Sequence, residues 1–230
     1  MKILISILLI ALSLNAASFS KSKKILLKKI YFDNQISFYC SNPYEVKQIN
    51  GKEKTLIVQD SKYYSPRKPF YKSGKPNTRA ERIEWEHVMP AHNFGKHLQC
   101  WQEGGRKNCR KDKTFKTMEA DMHNLVPAIG EVNGNRSNYR YGADTPKIGQ
   151  YGNCQFEVDF KAKRAYPKED IRGDIARIYF YMSDKYNVRL SKQERRMMEV
   201  WDKLDPVSEW ERIKNKRVQK LQGNFNPYVE

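Results

Sequence analysis

Beyond Pro167 the apolar residues Ile171, Ile175, Ile178, Met182 and Tyr186 recur at spacings of three and four. That period predicts an amphipathic helix, with Pro167 suited to its first turn. Ser191 followed three residues later by Glu194 has the form of a capping box and opens a second helix, with Met197, Met198, Trp201 and Leu204 as core positions. Asp205 and Pro206 start a third, with Trp210, Ile213 and Leu221 inward. Near the other end, Ile25, Leu26, Ile30 and Tyr31 share one face of a predicted helix over 21–36, with lysines elsewhere. The middle of the chain changes period. Phe156, Val158 and Phe160 alternate with Glu157 and Asp159, the pattern of a half-buried strand. Residues 44–60 read as strand-like and turn-rich, and Pro66, Pro69, Gly74 and Pro76 mark 61–80 as a surface loop. No repeat or linker separates these regions, which predicts one α+β domain of mixed helices and short strands with a helical C-terminal third, over 21–230.

Residues 1–20 have another character: Lys2, an apolar run from Ile3 to Leu14, then Ala16, Ala17 and Ser18. This is a signal-peptide layout with cleavage at about 16–20. The run is shorter than the roughly 18 residues that a membrane span needs. The chain therefore reads as an exported protein, periplasmic or secreted, with no membrane partner. In an oxidising compartment Cys40, Cys100, Cys109 and Cys154 predict two disulfides among three possible pairings. Cys100 with Cys109 is the short local choice, which leaves Cys40 with Cys154. Zinc is the competing use, but the sequence has no C-x-x-C and the Cys100 to Cys109 spacing is too long for a zinc knuckle.

Charge narrows the range of partners. The 230 residues hold 43 Lys+Arg against 26 Asp+Glu, a formal net charge of +17, and only Lys2 is lost with the leader. Aromatic residues reach 12%, which argues against a disordered basic tail. A folded cationic domain attracts a polyanion, whether nucleic acid, anionic lipid or acidic glycan.

The candidate chemistry is concentrated. All four histidines, His87, His92, His97 and His123, fall within 37 positions, beside Glu84, Glu86, Arg106, Glu119, Asp121, Asn124 and Asn133. A base, carboxylate and amide oxygens and a cation together suit metal-assisted attack on a phosphodiester. Zinc-peptidase motifs fail, because position 84 is Glu and the histidines are spaced by five rather than by a helical three or four. Glu84 and Glu86 as a glycosidase pair stay geometrically open, with nothing else in support.

The segments Arg82–Ala91 (RIEWEHVMPA), Cys100–Cys109 (CWQEGGRKNC) and Met118–Asn138 (MEADMHNLVPAIGEVNGNRSN) resemble the bacterial endonuclease I family of exported nonspecific nucleases. The resemblance extends over most of the chain, to the Cys154 strand and the closing Gly223–Pro227. It implies a ββα-metal (His-Me finger) site at about 82–138 that cleaves DNA and RNA with Mg2+, for which Mn2+ or Ca2+ substitute in binding. By position, the resemblance makes His87 the general base, Glu86 and Asn133 the metal ligands, and Arg106 the clamp on the scissile phosphate. It also implies products with 5′-phosphate ends. The substrates would be double- and single-stranded DNA and RNA, held through the phosphate backbone by a monomer.

On this reading Trp85–Val88 and Asn124–Ile129 are the two strands, and the helix from Gly130 returns Asn133 to His87. Neighbours in a regular strand point to opposite faces, so Glu86 and His87 share one site only if the strand ends or bulges there; Pro90 suits an ending. Each residue also has a plainer use. His87 beside Trp85 and Val88 fits a core histidine, Asn133-Gly134 a turn, and Arg106 among Lys107, Arg110, Lys111 and Lys113 a solvated surface. His92 and His97 fall on a helix after Pro90, His123 just before the second strand, and Glu119 and Asp121 are possible supporting groups. The alternatives to a nuclease are a non-catalytic secreted cationic DNA-binding protein and, more remotely, a cationic protein acting at anionic envelopes.

Overall fold

The Ser18 side chain accepts a hydrogen bond from the Lys21 amide and opens α1, Phe19–Ile25, in the computed structural model, which describes residues 18–144, 146 and 148–230. Of the expected leader, 1–20, residues 1–17 lie outside the described residues, whereas Ser18 caps α1 and Phe19 and Ser20 are part of it. A wider π-helical turn, Leu26–Ile30, extends α1, and the helix then stops short of the expected residue 36. Arg217 donates both to the terminal Ile30 carbonyl and to Asp33, which satisfies the helix end there.

Strands β1 (Tyr44–Ile49) and β2 (Lys52–Ile57) form an antiparallel hairpin. Its turn is Asn50-Gly51, both at positive φ, as a tight two-residue hairpin turn requires. Residues 61–80 contain no helix or ladder strand, as the breakers predict. Strand β3 (Ile83–His87) pairs antiparallel with β4 (Leu125–Ile129), Glu86 opposite Val126 and His87 opposite Leu125. Between them lie α2 (Ala91–Gly95), α3 (Gln99–Cys109) and α4 (Lys113–Glu119). Helix α5 (Gly130–Arg136) follows β4 without a linking loop. Strands β5 (Arg140–Tyr141), β6 (Glu157–Asp159) and β7 (Arg164–Tyr166) form a small sheet in the order β5-β7-β6. Helices α6 (Arg172–Tyr186), α7 (Lys192–Leu204) and α8 (Glu209–Gln222) complete an α+β fold.

The C-terminal helices carry most of the expected core positions, with instructive exceptions. Ile175, Met182, Met198 and Trp201 are buried in one cluster with Met89, Phe94, Val126 and Ala128 from around the β3–β4 pair. Leu204, expected inward, is 76% exposed, and Leu221 is 45% exposed, because each lies in the last turn of its helix with little packed over it. Asp205 does not open α8. Its carboxylate accepts from the Gly173 amide and its carbonyl from Arg177, so Asp205 instead ties down the start of α6. Ser208 begins α8 with a reciprocal capping box to Glu211, whereas the Ser191 side chain caps α7 by accepting from the Glu194 amide, without the reciprocal bond among the described residues. Pro167 lies ahead of a 3-10 turn, Glu169–Ile171, rather than inside α6. Glu157, read as the solvent side of its strand, is buried, because its carboxylate accepts from the Gly149 and Gln150 amides. Both expected disulfides are present, Cys40–Cys154 and Cys100–Cys109.

Candidate active site

Strand β3 ends at the candidate site residue His87. After His87 the Val88 amide still reaches the Asn124 carbonyl, but the Asn124 side chain then takes over, accepting from Met89 N and donating to Met89 O. Pro90 has no N–H to continue the ladder. The ladder runs in regular register through Glu86 and His87 with no bulge, and both residues nonetheless line the same two clefts. Glu86 Oε1 accepts from the buried Arg136 (3.0 Å) and from Tyr39 (3.4 Å), and the His87 amide also bonds the carboxylate. Burial outweighs those bonds and pushes its carboxyl up to about 7.

The His87 ring is fixed by one strong polar contact and two aromatic ones. Nε2 lies 2.8 Å from the Glu119 carbonyl, which can only accept, so Nε2 carries the proton and Nδ1 keeps a free lone pair. Phe19 and Phe94 pack against the ring with centroids at 4.9 and 5.8 Å. Burial, with Arg106, Arg136 and Lys23 nearby, pushes the imidazole down to about 3, so it is neutral at physiological pH.

Helix α5 delivers Asn133. Its start is pinned by bonds from the Gly130 and Glu131 amides to the Arg82 and Arg79 carbonyls. Asn133 Nδ2 donates to Glu84 Oε2 at 3.2 Å, which turns Oδ1 outward with no partner among the described residues. Burial alone would raise Glu84, but hydrogen bonds from Arg79 and Arg82 hold its carboxyl below the usual range. Arg106 follows a break in α3 at Gly104 and Gly105, where Gly105 has φ 62° and ψ −158°, a conformation open essentially to glycine alone. The Cys100–Cys109 bridge closes that kinked segment. Arg106 Nε donates to the Glu119 carboxylate (2.8 Å), which aims the rest of the guanidinium while leaving its side chain 42% exposed.

Two open clefts meet at these side chains. One, of about 680 Å³, runs past α1 and the cationic residues Lys23, Lys24, Arg79 and Arg82. The other, of about 310 Å³, runs past His92, Trp101 and Asn138. Among the described residues only Glu86, His87, Arg106 and Asn133 line both. A neutral base, a carboxylate, an amide and a guanidinium thus line a common space. Oxygen donors in this small number suit a hard divalent cation that keeps most of its waters, and do not suit zinc.

Of the remaining histidines only His92 borders either cleft among the described residues. His92 is on α2, edge-on to Trp101, and His97 falls in an exposed turn beyond that helix. His123 is a buried ring bonded to the Asn224 carbonyl and packed on Tyr181. Asp121 serves the C-terminal helices, accepting from the Tyr181 and Tyr186 hydroxyls. Glu119 does support the site, through its carboxylate to Arg106 and its carbonyl to His87. Sequence reasoning missed Phe19, Arg136 and the tie from Glu84 to Asn133. Phe19 and Arg136 carried no local signal, and Glu84 was visible only as a carboxylate two positions from Glu86.

A family model described as Endonuclease I matches residues 18–230. The chain is 48% identical over 217 residues to an extracellular deoxyribonuclease of Aeromonas hydrophila, covering 94% of this chain and 89% of the relative. It is 50% identical over 205 residues to a periplasmic deoxyribonuclease of the same organism, covering 89% and 82%. It is 48% identical over 206 residues to Endonuclease-1 of Buchnera aphidicola subsp. Acyrthosiphon pisum (strain APS), covering 90% and 78%.

Proposed function

The chain belongs to the endonuclease I family, and on that premise we propose that its paired clefts are the active site of a Mg2+-dependent nonspecific endonuclease built on a ββα-metal finger. It is a periplasmic or secreted nuclease, as its relatives are. The observation that carries the finer reading is the convergence of Glu86, His87, Arg106 and Asn133 on the junction of the two clefts.

The chemistry follows from the orientation of each group. A water held near His87 gives its proton to Nδ1 as its oxygen bonds to phosphorus, since Nε2–H is already committed to the Glu119 carbonyl. The bond from phosphorus to the 3′ oxygen breaks, leaving a 5′-phosphate and a 3′-hydroxyl that takes its proton from solvent. Arg106, held at Nε by Glu119, presents its remaining N–H groups to the phosphate. The Glu86 carboxylate and Asn133 Oδ1 would hold Mg2+, which when bound supplies Lewis-acid stabilisation of charge on the phosphoryl oxygens. Because every reacting group belongs to the backbone of the nucleic acid, double- and single-stranded DNA and RNA are all substrates, without sequence preference. The chain acts as a monomer with a single nuclease domain over 21–230.

A plasmid-nicking assay tests this reading. Excess EDTA should slow cleavage roughly 100-fold or more, and restored Mg2+ should recover it. Undiminished cleavage in EDTA would refute the metal site, and DNA retention without metal-dependent cleavage would make the protein a cationic DNA binder. The tie between Glu84 and Asn133 gives a second measurement. Glu84→Ala frees the Asn133 amide and should lower the rate at limiting Mg2+ by about 10- to 100-fold, with partial recovery at saturating Mg2+. An unchanged Mg2+ titration would show that Asn133 needs no such support.

A further inference from the structure

Between the hairpin and β3, residues 61–80 contain six Lys or Arg, four aromatic residues and no Asp or Glu. Two of the aromatics, Phe70 and Tyr71, are adjacent and stand 60% and 45% exposed. They sit on an ordered tip. The Phe70 backbone bridges to Pro76, the Tyr71 amide reaches the Lys75 carbonyl, and Gly74, at φ 78°, donates to the Tyr71 carbonyl. The root is equally defined. Buried Glu131 of α5 accepts from the Arg67 and Lys68 amides and from the Tyr64 hydroxyl. Asn77 closes the loop by donating to the Lys68 carbonyl. Glu131 is two residues from Asn133, and Arg79, at the far end of the loop, lines the larger cleft. The loop is therefore mounted on the helix that delivers a site residue.

Arg67 is engaged over the Phe160 ring, but among the described residues no carboxylate pairs with Lys68, Lys72 or Lys75. Holding two large rings in water beside unpaired cations leaves apolar surface uncovered and concentrates like charge. Both are relieved by a flexible polyanion that also carries flat apolar faces. Duplex nucleic acid hides those faces in its stack, whereas an unpaired strand presents them.

We propose that the 67–76 loop is a second nucleic-acid contact, in which Phe70 and Tyr71 stack on unpaired bases while Lys72 and Lys75 hold the adjoining phosphates. The consequence is a preference for single-stranded stretches of DNA or RNA that the phosphate chemistry of the clefts does not itself confer. Its relevance to cleavage rests on the nuclease reading; the binding does not.

Binding is measured by fluorescence anisotropy in EDTA, using a labelled oligothymidylate of about 12 nucleotides and a duplex of the same length. The double variant Phe70→Ala/Tyr71→Ala should weaken single-strand binding roughly 10-fold or more and duplex binding by less than about 3-fold. Lys72→Gln/Lys75→Gln should weaken both and flatten the single-strand salt slope by about 1.4. Phe70→Leu/Tyr71→Leu keeps apolar bulk without a flat ring and should behave like the alanine pair. Parent-like single-strand affinity in the alanine or leucine pair would overturn the proposal, as would equal losses on both probes. A parent that binds these probes yet never cuts DNA with Mg2+ would instead refute the nuclease reading, with the loop still judged by its own variants.

Discussion

His87→Ala should lower kcat for plasmid cleavage by about 10²- to 10⁴-fold while DNA affinity changes little. The size of the loss follows from what the ring supplies. Its Nδ1 is the only neutral nitrogen base at the junction of the clefts among the described residues, and the Glu119 carbonyl holds it in the productive tautomer. Burial keeps it uncharged, so no fraction of the enzyme is lost to a protonated base at neutral pH. On the proposed reading, substrate capture rests on other groups, Arg106 and the lysines and arginines of the larger cleft, so affinity should persist. Steady-state kinetics beside a filter-binding measurement in Ca2+ separates the two. A variant that still cuts within tenfold of the parent would remove His87 from the role of base. The ring also fills space against Phe19 and Phe94, so the melting temperature should accompany the rate, and Glu119→Ala, which keeps the backbone carbonyl, should retain the His87 contribution.

Loss of the Cys40–Cys154 bridge should be the largest single effect on stability. The two cysteines are 114 positions apart, and closing a loop of that length in the unfolded chain is worth about 4–5 kcal/mol in the chain-entropy model. The Cys100–Cys109 bridge spans only nine positions and is worth about 2–3 kcal/mol. For a domain of this size Cys40→Ala/Cys154→Ala should therefore lower the melting temperature by about 10–20 °C, and Cys100→Ala/Cys109→Ala by about half as much. The effects on activity should run the other way at temperatures where both variants are folded. The short bridge closes the kinked segment that carries Arg106, whereas the long one reaches the site indirectly, through Tyr39, next to Cys40, whose hydroxyl bonds Glu86 and Tyr141. Calorimetry and nicking rates at 20 °C, a temperature chosen well below the expected transitions, check both orders. A smaller melting shift for the long bridge than for the short one would contradict the loop-length account.

Much of this was legible in residue order because the proposed functional groups sit in short blocks whose local structure is dictated locally. Pro90 ends a strand at His87, Gly104 and Gly105 break a helix before Arg106, and the strand that leads into Gly130 puts Asn133 on a first helical turn. The C-terminal helices were equally legible from spacing, except where burial depended on what packs over the last turn, as at Leu204 and Leu221. The inward turn of Glu157 was hidden because alternation reports polarity, not the backbone amides that a carboxylate meets.

The sequence by itself determined the chemical inventory of the proposed site: a histidine, a carboxylate, an amide and a guanidinium, close together in short blocks. Only the tertiary structure decided the state in which each would act. The tautomer of His87 depends on a carbonyl 32 positions away, the free oxygen of Asn133 on Glu84, and the anchoring of the Glu86 carboxylate on Arg136, 50 positions on. These are contacts between groups distant in the chain, one of them a backbone atom that every residue possesses. Residue type cannot encode them, because hydrogen-bond geometry and burial arise only when the elements pack.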